Sequence, residues 1–338
     1  MRSARSDAFV ALRRKNSLKE MFPLFKIEKK PVKGLFAFEW VVLAYLVLTL
    51  GIVLFTYTKL QHAEDMIYGR LRILAIIAAL WLVYRLVPCK LTRLVRVAAQ
   101  MALLAWWYPD TYELNRLLPN LDHLFAGWEQ QLFGCQPALL FPELLPQAWF
   151  SELMCLGYAS YYPLMAVVLL YYFFYRQKEF MQASFILVAS FFLYYVIFIA
   201  LPVTGPQYYY LAAGLDQVAQ GVFPAVGDYF NNHQESLPVP GWNGGFFYQM
   251  VEDAHSAGER PTAAFPSSHV GITVVLLLLA VRARSYRLAL FILPFFLLMF
   301  AATVYIRAHY LIDAIAGLVT GVLFFLFFHF LSKKSVIS

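Results

Sequence analysis

Phe265-Pro266-Ser267-Ser268-His269 opens an apolar run at Val270–Val281. Arg307-Ala308-His309-Tyr310-Leu311-Ile312-Asp313 stands where one apolar run stops and the next begins. Several such runs approach the length of a bilayer crossing, and they decide the fold class: an all-α, polytopic membrane bundle. The whole chain agrees, with 61% hydrophobic residues, 14% charged residues and a mean hydropathy of +0.61. A soluble domain is excluded on composition.

Working outward from these two stretches, hydropathy predicts eight spans at about 36–58, 71–88, 91–108, 152–175, 181–201, 266–281, 287–305 and 310–331. Arg96 and Gln100 interrupt the third, but dropping it would mix basic and acidic connections on one side. With eight spans, Arg85, Lys90, Arg93, Arg96, Arg176, Lys178, Arg282, Arg284, Arg287, Lys333 and Lys334 all sort to the side of the N-terminus, which is therefore cytoplasmic. The outer connections are acidic: residues 109–150 carry five acids against one Arg, and residues 202–265 carry six against one. Neither holds an Asn-x-Ser/Thr acceptor, which favours a bacterial inner membrane. Both opening stretches then lie on the outer, periplasmic face, under two connections of roughly forty and sixty residues that are long enough to fold over them.

The net charge of +7 is local and gives no nucleic-acid reading. Residues 1–34 hold ten Lys/Arg against three acids, and the rest of the chain is neutral. That pattern reads as a basic cytoplasmic segment facing anionic lipid, or as a plain orientation signal. Within it, Ser17-Leu18-Lys19-Glu20 has capping-box spacing before Met21-Phe22-Pro23-Leu24-Phe25, a candidate interfacial helix. The first apolar run is too long for a cleaved leader and is expected to stay in the protein. The expected division is a basic segment (1–34), two spans (35–90), a catalytic membrane domain (91–331) and a cytoplasmic tail (332–338). Cys89, Cys135 and Cys155 show no paired spacing, and a Cys135–Cys155 bridge on the outer side stays open.

The chemistry sits in the opening stretches. His309 and Asp313 are four apart, so on a helix the carboxylate accepts the imidazole N–H, fixes the tautomer and stabilises the ring when it becomes positive. His269 follows Pro266, Ser267 and Ser268 at a helix start, where amides and hydroxyls form an anion cradle. These are the parts of a phosphoryl transfer. His309 is the candidate nucleophile, Asp313 its orienting group and His269 the acid that protonates the leaving alkoxide and later deprotonates the acceptor. Ser267 and Ser268 hold phosphate oxygens, and Arg307 neutralises charge. The scheme needs no metal and no cofactor.

Phe265-Pro266-Ser267-Ser268-His269 with the His309-xxx-Asp313 pair resembles the second and third motifs of the phosphatidic acid phosphatase type 2 superfamily. Within it the chain looks most like the inositol phosphorylceramide synthase-like branch, whose motifs read FPSxH and HYxxD. Thr204-Gly205-Pro206-Gln207 is similar to that branch's GPR stretch, which adds Gly205 and Gln207 as candidate phosphate-binding residues. Leu121-Asp122, Trp128-Glu129 and Leu132-Phe133-Gly134 look like its first outer loop. The resemblance spans roughly residues 110–331 and implies a six-helix core formed by the last six spans. Three departures stand out: Gln207 replaces an Arg, Thr303 stands where an Arg precedes the nucleophile by six residues, and Ser268 replaces a Gly. Fewer cations suit a singly charged phosphodiester better than a doubly charged monoester.

Other polar residues have blander readings. His233, Asp253 and His255 lack metal-ligand spacing and read as a solvated loop. Glu39, Glu152 and Glu179 flank spans and read as interfacial charges. Trp106-Trp107-Tyr108 reads as aromatic belt, and Trp242-Asn243-Gly244-Gly245 as a turn. The first functional reading is a lipid phosphotransferase that moves a phosphoryl headgroup, by analogy phosphoinositol, from a phospholipid to the hydroxyl of a ceramide-like lipid. The second is a lipid phosphatase acting on phosphatidate or an isoprenyl (pyro)phosphate, with water as acceptor. The third, a lipid-binding or transport protein without chemistry, is opposed by the intact His269, His309 and Asp313. Donor and acceptor lipids are the partners implied; no protein partner is.

Overall fold

The computed structural model describes residues 24–334, and every regular element among them is helical. The Ser17–Glu20 capping box, most of the basic segment and the last four residues lie outside the described residues. Three long helices come first: α1 (Ala37–Phe55), α2 (Ala63–Leu86) and α3 (Lys90–Asn115). The connection after α3 folds as α4 (Asp122–Phe133) and α5 (Pro137–Leu144), followed by α6 (Ala148–Ala159), α7 (Tyr161–Tyr175) and α8 (Gln177–Ala200). The connection after α8 carries α9 (Pro206–Ala213), α10 (Leu215–Ala219) and α11 (Phe246–Gly258). The chain closes with α12 (Ser268–Arg282), α13 (Tyr286–Tyr305) and α14 (Leu311–Lys334).

Each predicted span falls on helix. Five helices are long and apolar enough to cross a membrane alone, and α6 with α7 makes a sixth if that bent pair is one span. These make the chain an integral-membrane type of protein. The two shortfalls from eight have physical reasons: α3 is diluted by charge, and α12 has only 15 residues. Boundaries moved for a related reason. Hydropathy placed the second start near 71 and the third end near 108, whereas the helices run from Ala63 and to Asn115. The charged turns that stopped the apolar runs remain helical because their charges are paired.

Two buried ion pairs do this. Arg70 on α2 grips Asp110 on α3 with a fork, Nη1–Oδ1 3.0 Å and Nη2–Oδ2 2.7 Å. Arg96 on α3 pairs in the same way with Glu39 at the start of α1, Nε–Oε1 2.7 Å. All four side chains are almost wholly buried. A lone charge there is costly, so the partners fix the register of α1, α2 and α3. This corrects two readings: Glu39 is not interfacial, and Arg96 does not belong to a cytoplasmic connection.

Helix α8 is the pillar. Of its most apolar window 72% is buried, against 28–39% for the other candidate spans. A helix apolar on all sides belongs inside. α1 and α3 pack on it from the N-terminal half, and α7, α12 and α14 from the C-terminal half.

Two local features shape the half that bears the histidines. The α6–α7 pair bends by 46° at Ser160. Pro163, in the first turn of α7, has no N–H to continue the ladder, so the helix breaks there. The second feature is a seam of glycines between α12 and α14. A Cβ at Gly321 would stand 2.4 Å from the Gly271 carbonyl oxygen, and one at Gly317 2.4 Å from the Ser267 oxygen. Backbone meets backbone only because these residues lack side chains, the small-xxx-small packing of membrane helices.

Candidate active site

The seam carries the start of α12 against the start of α14. Ser267 caps α12, its Oγ accepting from Val270 N at 3.4 Å, and its own N–H donates to the Asp313 carbonyl at 3.0 Å. The first-turn amides of Ser268 and His269 are those that helix geometry leaves without an intrahelical acceptor. His269 and His309 are thereby brought together, Nδ1 to Nε2 at 3.3 Å.

The expected His309–Asp313 hydrogen bond is not formed. His309 precedes α14 rather than lying on it, and its Nδ1 is 3.8 Å from Asp313 Oδ2, too long for a hydrogen bond. Asp313 instead caps its own helix, Oδ2 accepting from Tyr310 N at 2.8 Å. His309 Nδ1 lies 2.7 Å from the Ala264 carbonyl oxygen. A carbonyl only accepts, so Nδ1 holds the proton and Nε2 presents its lone pair toward His269. Burial pushes the His309 pKa down to about 4, so the ring is neutral and nucleophilic at pH 7. The backbone thus sets the tautomer that was assigned to the carboxylate.

The His269 ring lies between two tyrosines from either side of the α6–α7 break, Tyr158 stacked at 4.5 Å and Tyr161 at 4.4 Å between ring centres. Tyr161 Oη also donates to the Ser268 carbonyl at 3.3 Å. The bend at Ser160 therefore has a use: it turns both rings onto one histidine.

Gly205 and Gln207 stand behind the His309 turn. Gln207 N donates to the Arg307 carbonyl at 2.8 Å, and a Cβ on Gly205 would meet the Ala308 oxygen at 2.5 Å. With φ +91°, Gly205 also occupies backbone space that other residues avoid. Below it, Asp122 at the start of α4 gathers five donors: Thr204 N and Oγ1, Gly205 N, Asn120 Nδ2 and Tyr310 Oη, at 2.6–3.0 Å. Glu129, two turns further along the same face of α4, accepts from Ile312 N at 3.0 Å. Burial pushes the Glu129 pKa up to about 8. Helix α4 thus holds the Thr204–Gln207 turn and the His309 turn against each other.

Arg307 is turned elsewhere. Its backbone is left-handed, φ +66°, and its Nε lies 3.4 Å from the Ala138 carbonyl on α5, with no bond to either histidine among the described residues. Glu259, just past α11, points inward instead. Its Oε2 is 2.9 Å from His255 Nε2, its Oε1 accepts from Tyr158 Oη at 3.4 Å, and its charge bears on His309. Burial would raise the Glu259 pKa, but His255 and the Gln207 amide outweigh it and hold the carboxylate ionised. His255 is accordingly part of the site's rim rather than a solvated loop residue. Glu152 is no interfacial charge either, since it caps α11 through Phe247 N and Tyr248 N at 3.1 and 2.9 Å.

Sequence reasoning missed Ala264, Tyr158, Tyr161, Glu259 and the scaffold roles of Asp122 and Glu129. The seam had a plain signal in the Gly317-xxx-Gly321 spacing on an apolar helix, and Asp122 and Glu129 had one in the resemblance of their loop. Cys89, Cys135 and Cys155 are all free.

The chain is thus an all-helical, membrane-type bundle with a pair of histidines brought together at the mouths of α12 and α14. The chain belongs to the PAP2 superfamily, whose family model matches residues 123–327, from the second residue of α4 to the last turns of α14. Helices α1–α3 lie outside the matched stretch. Members of this superfamily are phosphatases and phosphotransferases. No curated protein and no solved structure matches the chain.

Proposed function

We propose that the protein is a lipid phosphotransferase of the inositol phosphorylceramide synthase-like kind. It transfers the phosphoryl headgroup of a phospholipid to the hydroxyl of a second lipid, ceramide-like by analogy. The supporting observation is the contact of His269 Nδ1 with His309 Nε2 at 3.3 Å, the second nitrogen being the one that Ala264 leaves unprotonated. The phosphoryl group enters by parting the two rings. Nε2 attacks phosphorus, the P–N bond forms and the P–O bond to the diacylglycerol oxygen breaks. His269 takes up a proton as the anionic phosphate enters beside it and gives that proton to this oxygen. The acceptor hydroxyl then passes its proton to His269 as its oxygen attacks phosphorus and the P–N bond breaks. Asp313, 3.8 Å away, stabilises the imidazole while it is positive. Ser267, Ser268 and their amides receive the phosphate oxygens, and Gly205 and Gln207 keep the His309 turn in place. No metal enters this scheme.

The ionised Glu259 near His309 bears on the substrate's charge. A carboxylate beside the reacting phosphate repels a dianionic monoester more than a monoanionic diester, which supports headgroup transfer over hydrolysis of phosphatidate. We place the site on the outer face of a bacterial inner membrane, with both termini cytoplasmic, residues 1–34 as the basic segment and residues 91–331 as the catalytic domain.

The test is a transfer assay in mixed micelles, with a phospholipid labelled in its headgroup phosphate and a ceramide or diacylglycerol acceptor. Label is expected in a new lipid, and none with His309→Ala. Label released only as free phosphate would make the protein a lipid phosphatase.

A further inference from the structure

A cavity of about 560 Å³, apolar in most of its lining but rimmed by lysines, lies far from the histidines. It is lined by Lys26, Lys29, Lys90, Arg93, Phe173 and Phe180, among others. Its distance from the site follows from the helices. α3 begins at the cavity with Lys90 and α8 with Gln177, while the far end of α8 leads into the Thr204–Gln207 turn. Twenty-four residues of helix rise about 36 Å, so the cavity occupies the opposite membrane face.

The cavity is assembled rather than incidental. Glu28 ties the segment before α1 to the bundle: its N–H donates to the Pro88 carbonyl at 2.8 Å, and its carboxylate accepts from Tyr84 Oη at 2.8 Å and pairs with Arg93. The strap so fixed carries Lys26 and Lys29 onto the cavity beside Lys90. Glu28 answers Arg93, while Lys26, Lys29 and Lys90 have no carboxylate partner among the described residues. The positive ends of α3 and α8 add to the same field. Phe173 and Phe180, almost wholly buried, form an apolar wall.

We propose that this cavity binds an anionic phospholipid of the leaflet opposite the histidine site. Its phosphate sits among Lys26, Lys29 and Lys90, and an acyl chain lies along Phe173 and Phe180. Three unpaired cations, two helix N-termini and an aromatic wall are the complement of a phosphate joined to a hydrocarbon, and basic pockets between spanning helices recognise such headgroups.

The experiment uses the full chain in phosphatidylcholine nanodiscs containing a few per cent of spin-labelled phosphatidylglycerol. Immobilised label is expected with the wild type. Lys26→Gln with Lys90→Gln should weaken binding roughly twenty-fivefold, at about fivefold per lysine, and Lys90→Arg should retain it. Arg284→Gln with Arg287→Gln removes the same charge at the same face, where the turn after α12 enters α13, and should change binding less than about twofold. Equal loss in the two double variants would reduce the effect to a diffuse field and overturn the site. Displacement of the label by millimolar inorganic phosphate or glycerol 3-phosphate as readily as by anionic lipid would overturn the lipid as ligand. Each variant must elute and melt as the wild type; if the lysine pair unfolds, Lys26→Gln alone carries the test with a fivefold loss expected.

Discussion

The imidazole Nδ1 of His309 lies 2.7 Å from the carbonyl oxygen of Ala264, while the carboxylate of Asp313 is 3.8 Å away and occupied by the amide of Tyr310. A backbone carbonyl two residues before the cradle turn thus orients the catalytic candidate, and the carboxylate acts on it through space. Asp313→Asn keeps an acceptor for Tyr310 N–H and leaves the tautomer untouched. Its turnover should fall by roughly a hundredfold from lost charge stabilisation, against abolition in His309→Ala. Equal losses in both variants would mean that the carboxylate, not Ala264, sets the ring.

The glycine seam makes a second prediction. Gly321→Val inserts a side chain where the Gly271 carbonyl oxygen stands 2.4 Å from a Cβ position. Forcing α12 from α14 should cost about 1–3 kcal/mol of stability and part the two histidines, so thermal melting and turnover should fall together. A variant that melts lower but turns over normally would show that the seam does not set the histidine spacing.

Glu129 gives the pH dependence. Its carboxyl is raised from 4.5 to about 8 in the folded protein, so the folded state binds the proton more tightly than the unfolded state. Stability from this group is full below pH 4.5 and is lost as pH rises toward 8. Glu129→Gln should flatten melting temperature against pH across that window. An unchanged slope would move the titration elsewhere.

Much of this was legible in the sequence, and the division follows physical lines. Spans were readable because a bilayer demands long apolar runs. Their ends were not readable at Arg70 and Asp110, whose pairing across 40 residues lets charge stay inside helix. The two histidines were readable as one site because the sorting of charged connections predicts both helix starts on one face. The Ala264 contact was hidden because any residue has a carbonyl, and Glu259 because a rim carboxylate in a 64-residue acidic connection looks like all the others. Tyr158 and Tyr161 looked like packing among 22 tyrosines until the bend at Ser160 turned them onto His269.

Substrate charge is the next prediction. Glu259 stays ionised beside His255 and faces His309. Glu259→Gln should improve kcat/KM for a dianionic phosphomonoester about tenfold relative to a phosphodiester, since one repulsive charge at an effective dielectric near 20 amounts to a few kcal/mol before screening. If the ratio does not move, Glu259 does not select by charge, and the preference for a diester loses its support.

The most direct measurement is of the bond between His309 and phosphorus. The protein is mixed with a phospholipid labelled in its headgroup phosphate, quenched within one turnover in base and digested. We expect acid-labile, base-stable label on the peptide containing His309, absent in His309→Ala, and discharged when acceptor lipid is added before the quench. Label that never appears on this peptide under conditions of full turnover, or that persists in His309→Ala, would contradict the account.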